Sequence, residues 1–182
     1  MTSISQIQKQ LEPELQAMNR IINDSLLTDN EMMNGIVTHY LEVKGKQIRP
    51  LLVILSAKMF GTVTEEVLCA GAALEILHNA SLIHDDIVDE TGLRRGRATI
   101  NATMGNHVAV LVGDYFVSNS LSVGIRSRNL SVITALSNLG RELSLGEIDQ
   151  ITNVRERRLD TASYFNTIRQ KTASLFMSCV RM

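Results

Sequence analysis

The amino-acid sequence predicts an all-α protein, and three observations carry that prediction. Apolar residues recur at spacings of three and four along most of the 182-residue chain, as they do in helices that bury one face. Aromatics make up 4% of the residues and there are two prolines, which favours helices over strands rich in aromatic side chains. The longest periodic stretch is apolar nearly all round, which places it at the middle of a helical bundle. The length is enough for one domain with its own core, over residues 1–182.

Taken in order, residues 3–24 carry Ile4, Ile7, Leu11, Leu15, Met18, Ile21 and Ile22, one amphipathic helix started or bent near Pro13. Thr28 to Glu31 supply cap-type residues. A second helix runs through Ile36, Val37, Tyr40, Leu41 and Val43 to Gly45 as its C-cap. Pro50 suits the first turn of a third helix, apolar over 50–60, which sets Lys46 and Arg49 beside a helix N-terminus, where anions are favoured. Thr62 to Glu66 open the central helix, about 64 to 90, with Thr capping and Glu in the first turn. Its length is roughly 40 Å at 1.5 Å per residue.

After a basic turn at Arg94–Arg97, residues 99–107 read as a loop and Val108–Val123 as an apolar helix. Asp114 lies inside that helix, and a buried carboxylate there needs a basic partner in a structural role. Residues 129–154 form a further helix, in which Glu147 and Gln150 face either a polar cavity or the surface. Residues 155–160 are a solvated connector, and Asp160 caps a last helix bearing Tyr164, Ile168, Lys171, Leu175 and Val180. Lys171 and Thr172 stand in its apolar part; the lysine either snorkels to the surface or meets an anion.

Bulk properties exclude several classes. A composition of 45% hydrophobic and 20% charged residues is that of a soluble globular domain. The net charge of −1 offers no global attraction to nucleic acid or anionic lipid. The start Met1 to Gln6 is not a signal peptide, and no apolar run approaches the length of a transmembrane span. Cys69 and Cys179 lack metal or redox spacing and read as buried reduced thiols of a cytoplasmic protein.

The chemistry concentrates in Ser81 to Arg97. Asp85, Asp86 and Asp89 interrupt an apolar helical run, and Asp85 and Asp89, four apart, share a face. Like charges at that spacing cost some tenths of a kcal/mol, which a hard divalent cation repays. Mg²⁺ takes one or two carboxylates plus phosphate oxygens, and Arg94 and Arg95 suit the same ligand because guanidinium grips phosphate bidentately. The stretch reads as a site for a metal-bound di- or triphosphate. A lone D-D-x-x-D is also the pattern of a solvated acidic face; the apolar flanks and neighbouring basic sites argue against that. His78 shares a stripe with Ser81 and Asp85, and alone would read as a satisfied core histidine; His84 lies off it and reads as structural.

Together these pieces resemble the trans-polyprenyl diphosphate synthases. Gly45-Lys-Gln-Ile-Arg-Pro50 is similar to the family's G-K-x-x-R-P, Asp85-Asp-Ile-Val-Asp89 to its first aspartate-rich motif, and Arg94-Arg-Gly96 to its R-R-G; Gly113-Asp114 and Lys171-Thr172 follow in the family's order. The departures are Gln47 for a common basic residue and Ala98 for a usual proline. The resemblance implies the isoprenoid synthase helical bundle without its C-terminal helices, and a homodimer. It also implies Mg²⁺-dependent condensation of an allylic prenyl diphosphate with isopentenyl diphosphate. Asp85 and Asp89 would ligate the metal with Asp86 in support. Arg94, Lys171 and Thr172 would hold the allylic diphosphate; Lys46, Arg49, His78 and Arg95 would hold isopentenyl diphosphate. The small Ala80 and Ser81 before Asp85 imply a long product, which Ala80→Phe should shorten. The family's second aspartate-rich motif is absent from this sequence. The chain therefore reads as an N-terminal part, as a non-catalytic or half-site subunit that needs a partner supplying that motif, or as a helical interaction module that keeps the motifs without the chemistry.

Overall fold

The computed structural model describes residues 3–42, 45–158 and 160–182, and these are helical almost throughout. The stretch expected as one N-terminal helix is two, α1 (Ile4–Gln10) and α2 (Glu12–Leu26). Ser3 opens α1 with a reciprocal capping box to Gln6. The break falls at Leu11 because Pro13 lacks an N–H and sits without cost only in the first turn of a new helix. Leu15, Met18, Ile22 and Leu26 form the buried face of α2.

Asn30 caps α3 (Glu31–Leu41) through a hydrogen bond from the Met33 amide at 3.0 Å. The helix ends at Leu41, so Gly45 is not its C-cap; Val43, the last apolar position expected in it, lies outside the described residues. The chain leaves the helix at Glu42, whose carboxylate accepts from Arg97 at 2.6 Å. In α4 (Ile48–Phe60) Pro50 occupies the first turn as expected.

The bundle is organised around α5 (Glu65–Val88). Thr64 stands at its N-cap but makes no capping bond to the helix backbone, unlike the expected cap. Cys69 to Leu74 and Ile76 to Ala80 are buried without interruption around the helix, so neighbours must cover every side. They are α2, α4, α7 (Asn106–Arg126), α8 (Leu130–Arg155) and α10 (Ser174–Arg181). Contact with α7 is the most extensive and depends on small residues. A Cβ on Gly113 would run into the His84 ring of α5; where α7 meets α8, one on Gly124 would meet Leu136 Cδ1 at 2.6 Å. Phe116 of α7 is fully buried and meets Tyr40 of α3 edge to face, ring centroids 5.7 Å apart.

Between α5 and α7 the basic turn is a short hairpin, β1 (Leu93–Arg94) against β2 (Arg97–Ala98), antiparallel. Its turn residues Arg95 and Gly96 have φ of 52° and 78°, the positive values that two-residue hairpins of right-handed twist require. The expected loop 99–107 contains a short helix, α6 (Ile100–Met104), joined to α7 at Gly105. Asp160 caps α9 (Thr161–Ile168). The last expected helix is not continuous: a π-helical turn, Arg169–Ala173, separates α9 from α10.

Two of these helices, α5 and α7, are long and apolar enough to cross a bilayer by length and composition, which corrects the reading of the sequence. The apolar window of α5 is 67% buried by its neighbours, that of α7 39%; packing accounts for the first, and the second leaves Val110, Leu111, Leu121 and Ile125 exposed.

Phe116→Ala empties the contact between α3, α5 and α7. Such a truncation costs about 3–5 kcal/mol, which denaturant unfolding of the variant beside the wild type will read as a lowered midpoint.

Candidate functional site

The C-terminal end of α5 brings the sequence-predicted residues together as two adjoining groups. In the first, Asp85 is half-buried and Asp89, the C-cap residue, is exposed. Among the described residues neither side chain makes a hydrogen bond or ion pair. Burial raises the Asp85 pKa above the usual carboxylate range; Lys171 and Arg94 oppose the shift, while Glu147 and Asp89 add to it. A carboxylate so placed gains from an incoming cation.

Asp86, one residue round the helix, is buried and fully engaged. Arg94 grips it through Nε at 2.8 and 3.0 Å to the two carboxylate oxygens and through Nη2 at 2.7 Å. This charge-assisted pair raises the Arg94 pKa. The Asp86 carbonyl accepts from the Thr91 amide at 2.8 Å and from Asn101 Nδ2 at 3.1 Å. The hairpin is thereby tied to the end of α5, and Arg94 is fixed beside the acidic face.

Lys171 arrives from the π turn. Its ammonium pairs with Glu147 and donates to Gln150 Oε1 at 2.9 Å, both on α8. It is turned inward and does not snorkel. Thr172 beside it is exposed.

The second group lies one to three turns back along α5. His78 is 7% exposed, and burial together with Arg49, Arg95 and Arg94 pushes its pKa down to about 3, so it is neutral at physiological pH. Arg49 is half-buried, with its guanidinium 5.2 Å from the Phe176 ring centroid and its Nε without a hydrogen-bond partner among the described residues. Glu75 stands one turn before His78; burial raises its pKa against the pull of Arg49 and Arg95, and its Oε2 is also without a partner. Glu75, Asn79, Gln47 and Arg95 border a polar cavity of about 40 Å³, room enough for a water. Gln47, at φ 48°, is pinned by Asn19 Oδ1, 2.7 Å from its Nε2. Lys46 is held only by its carbonyl, which accepts from Gln8 Nε2 at 2.8 Å; its side chain is exposed and reaches nothing among the described residues.

Asp114 departs from expectation. Its side chain is 64% exposed, 3.3 Å from His84 Nε2. A basic partner is present, but no burial forces the pairing: the position lies on the outer face of α7, which apolar neighbours in the sequence had disguised.

A family model described as polyprenyl synthetase matches residues 30–182. The chain belongs to that family. Among similar polyprenyl synthetases, the octaprenyl diphosphate synthase of Haemophilus influenzae is 35% identical over 174 residues, 96% of this chain and 53% of that protein. A decaprenyl diphosphate synthase structure from Rhodobacter capsulatus superposes with a TM-score of 0.93 at 30% identity, covering 98% of this chain and 55% of that one. A polyprenyl synthase from Caulobacter crescentus, complexed with calcium and isoprenyl diphosphate, gives 0.93 at 28% identity over 98% and 54%. The fold is thus the isoprenoid synthase bundle, and the chain spans about half the length of the curated polyprenyl synthetase relatives it matches.

Sequence reasoning missed Glu75 and left Glu147 undecided. A signal existed for both. Glu75 is a charge in an apolar run three residues before His78, and Glu147 shares a helix face with Gln150.

The His78 shift sets a pH dependence. Its folded pKa is about 3 against about 6.5 unfolded. The unfolded state therefore binds the extra proton, and the contribution to stability is full above about 6.5 and falls as the pH drops toward 3. His78→Gln should flatten the loss of stability between pH 6.5 and 3 relative to wild type, measured by urea unfolding at stepped pH.

Proposed function

We propose that this chain carries the diphosphate-binding half of a prenyltransferase. The reaction joins an allylic prenyl diphosphate to isopentenyl diphosphate. The allylic C–O bond breaks, a C–C bond forms to the isopentenyl double bond, and a proton and pyrophosphate leave. The observation that carries the reading is the Asp85–Asp89 oxygen pair, free of hydrogen bonds among the described residues and faced by Lys171 and Arg94.

Mg²⁺ fits that pair. The donors are carboxylate oxygens one helical turn apart, and no cluster of three or more His, Cys, Asp or Glu able to hold a metal occurs among the described residues. A cation that uses one or two carboxylates and completes its shell with phosphate oxygens and water suits such an open set. When bound it offsets charge on the leaving diphosphate. The Caulobacter relative's complex with calcium and isoprenyl diphosphate supports the same ligand class.

Within this reading Asp85 and Asp89 hold the metal. Asp86 anchors Arg94, and Arg94, Lys171 and Thr172 receive the allylic diphosphate. Arg49, Arg95 and neutral His78 receive the isopentenyl diphosphate, with Lys46 closing from solvent. The exposed apolar residues of α7 support a homodimer through that face. Exposed Ile148 and Val154 on α8 and Tyr164 and Phe165 on α9 favour an alternative. In it this chain binds diphosphate but transfers a prenyl group only with a second segment or subunit.

Calorimetry with an allylic diphosphate tests the site: binding should require Mg²⁺ and weaken at least tenfold in Asp85→Asn. Metal-independent binding, or a variant that binds like wild type, overturns the assignment. An accompanying assay with labelled isopentenyl diphosphate separates the readings, since binding without transfer supports the alternative.

Product length refines the Ala80 expectation. Ala80 is 1% exposed within the core, whereas Ser81, four residues before Asp85, is half-buried on its face. A phenylalanine at 80 overpacks the bundle. Ser81→Phe is the better block and should shorten the products of an active assembly, read by chromatography of the dephosphorylated alcohols.

A further inference from the structure

The π turn at Arg169–Ala173 packs against α8, and the contact is closer than a side chain allows. A Cβ built on Gly146 would lie 2.8 Å from Gln170 Cβ, 2.9 Å from Lys171 Cγ and 3.3 Å from the Lys171 amide nitrogen. These atoms are backbone or the roots of side chains, so rotation of a flexible tip cannot relieve the clash. Gly146 is buried and helical, so its worth is not a positive φ. A helix-interior glycine costs about 0.5–1 kcal/mol relative to alanine; what it permits is the approach of the π turn. The next residue, Glu147, pairs with the Lys171 ammonium, and Gln150 one turn on accepts from it at 2.9 Å. Gln170 is itself buried, and its carbonyl accepts from Ser174. Three residues of α8, Gly146, Glu147 and Gln150, thus converge on one lysine, whose charge acts on Asp85.

We propose that Gly146 and Glu147 are positioning residues: Gly146 lets the π turn seat on α8, and Glu147 holds the Lys171 ammonium beside Asp85, ready for an anion bound there. The role of that anion rests on the diphosphate reading above; the positioning itself does not. Neither residue touches the ligand. Glu147 competes with it for Lys171, so the lysine is aimed before binding and released by exchange of one anionic partner for another.

Acetylation of lysines at limiting reagent, followed by mass spectrometry, tests this without any activity. Lys9, exposed on α1, is the internal reference. In wild type Lys171 should label several-fold more slowly than Lys9. In Gly146→Ala and in Glu147→Gln it should label several-fold faster than in wild type, with Lys9 unchanged. Gly140→Ala, on the same helix with open space around its Cβ, is the control. It should melt at or above the wild-type temperature, while Gly146→Ala melts several degrees lower. A folded Glu147→Gln chain with Lys171 still protected overturns the proposal, as does Gly146→Ala matching the gain of Gly140→Ala. Binding of inorganic pyrophosphate with Mg²⁺ by the wild type is scored separately: its absence sinks the diphosphate reading and leaves the labelling result to decide positioning alone.

Discussion

Burial of α5 on all sides is the constraint from which the rest follows. A helix sealed by neighbours cannot leave a polar side chain to water, so each of its charged or polar residues forces a choice on another element. Asp86 is satisfied by the hairpin and fixes its position. His78 stays neutral because it is buried, and three nearby guanidiniums add to the effect. Glu75 faces Arg49 and Arg95. The apolar residues of α5 build the core, and its few polar ones decide where α4, the hairpin and the π turn must lie.

The two groups at the end of α5 differ in the sign of what they lack. Around Asp85 the carboxylates of Asp89 and Glu147 act against ionisation, and the Lys171 ammonium acts for it. Around His78 three guanidiniums, those of Arg49, Arg95 and Arg94, act together, with the Glu75 carboxylate beside Arg49 and Arg95. The first group calls for a cation, the second for an anion. In the proposed function a metal-bound diphosphate and a free diphosphate would answer both needs at once. Arg94 sits at the seam, acting on Asp85 on one side and on His78 on the other.

How much of this was legible depended on whether the cause was local. The central helix, its acidic face and the basic segments around it were readable because periodicity and charge placement are sequence properties. The break at Leu11 was half-legible: Pro13 announced it, but whether the helix bends or restarts is decided by packing. The π turn was not legible. Nothing in Arg169–Ala173 itself signals a π turn, and its close packing on Gly146 joins segments far apart in the sequence. Asp114 failed in the opposite direction. Among its apolar neighbours Ala109, Val112 and Phe116 are buried while Val110 and Leu111 are exposed with Asp114, and one-dimensional hydropathy cannot tell a covered face from an open one.

The cations of the site are held with unequal firmness, and that inequality has a chemical use. Arg94 is locked bidentately to a buried carboxylate, at the cost of the freedom to follow a ligand. Lys171 is held by Glu147 and Gln150, partners that an anion can replace, in the middle of a π turn packed closely on Gly146. In the proposed reaction the charge to be stabilised grows on one diphosphate while the other stays attached to its carbon chain. A fixed guanidinium supplies field without reorganising. An exchangeable ammonium adds its charge only when the anion outcompetes a resident carboxylate. The two cations differ in their acidic partners: Asp86, which holds Arg94, is buried, and Glu147, which holds Lys171, is only partly so.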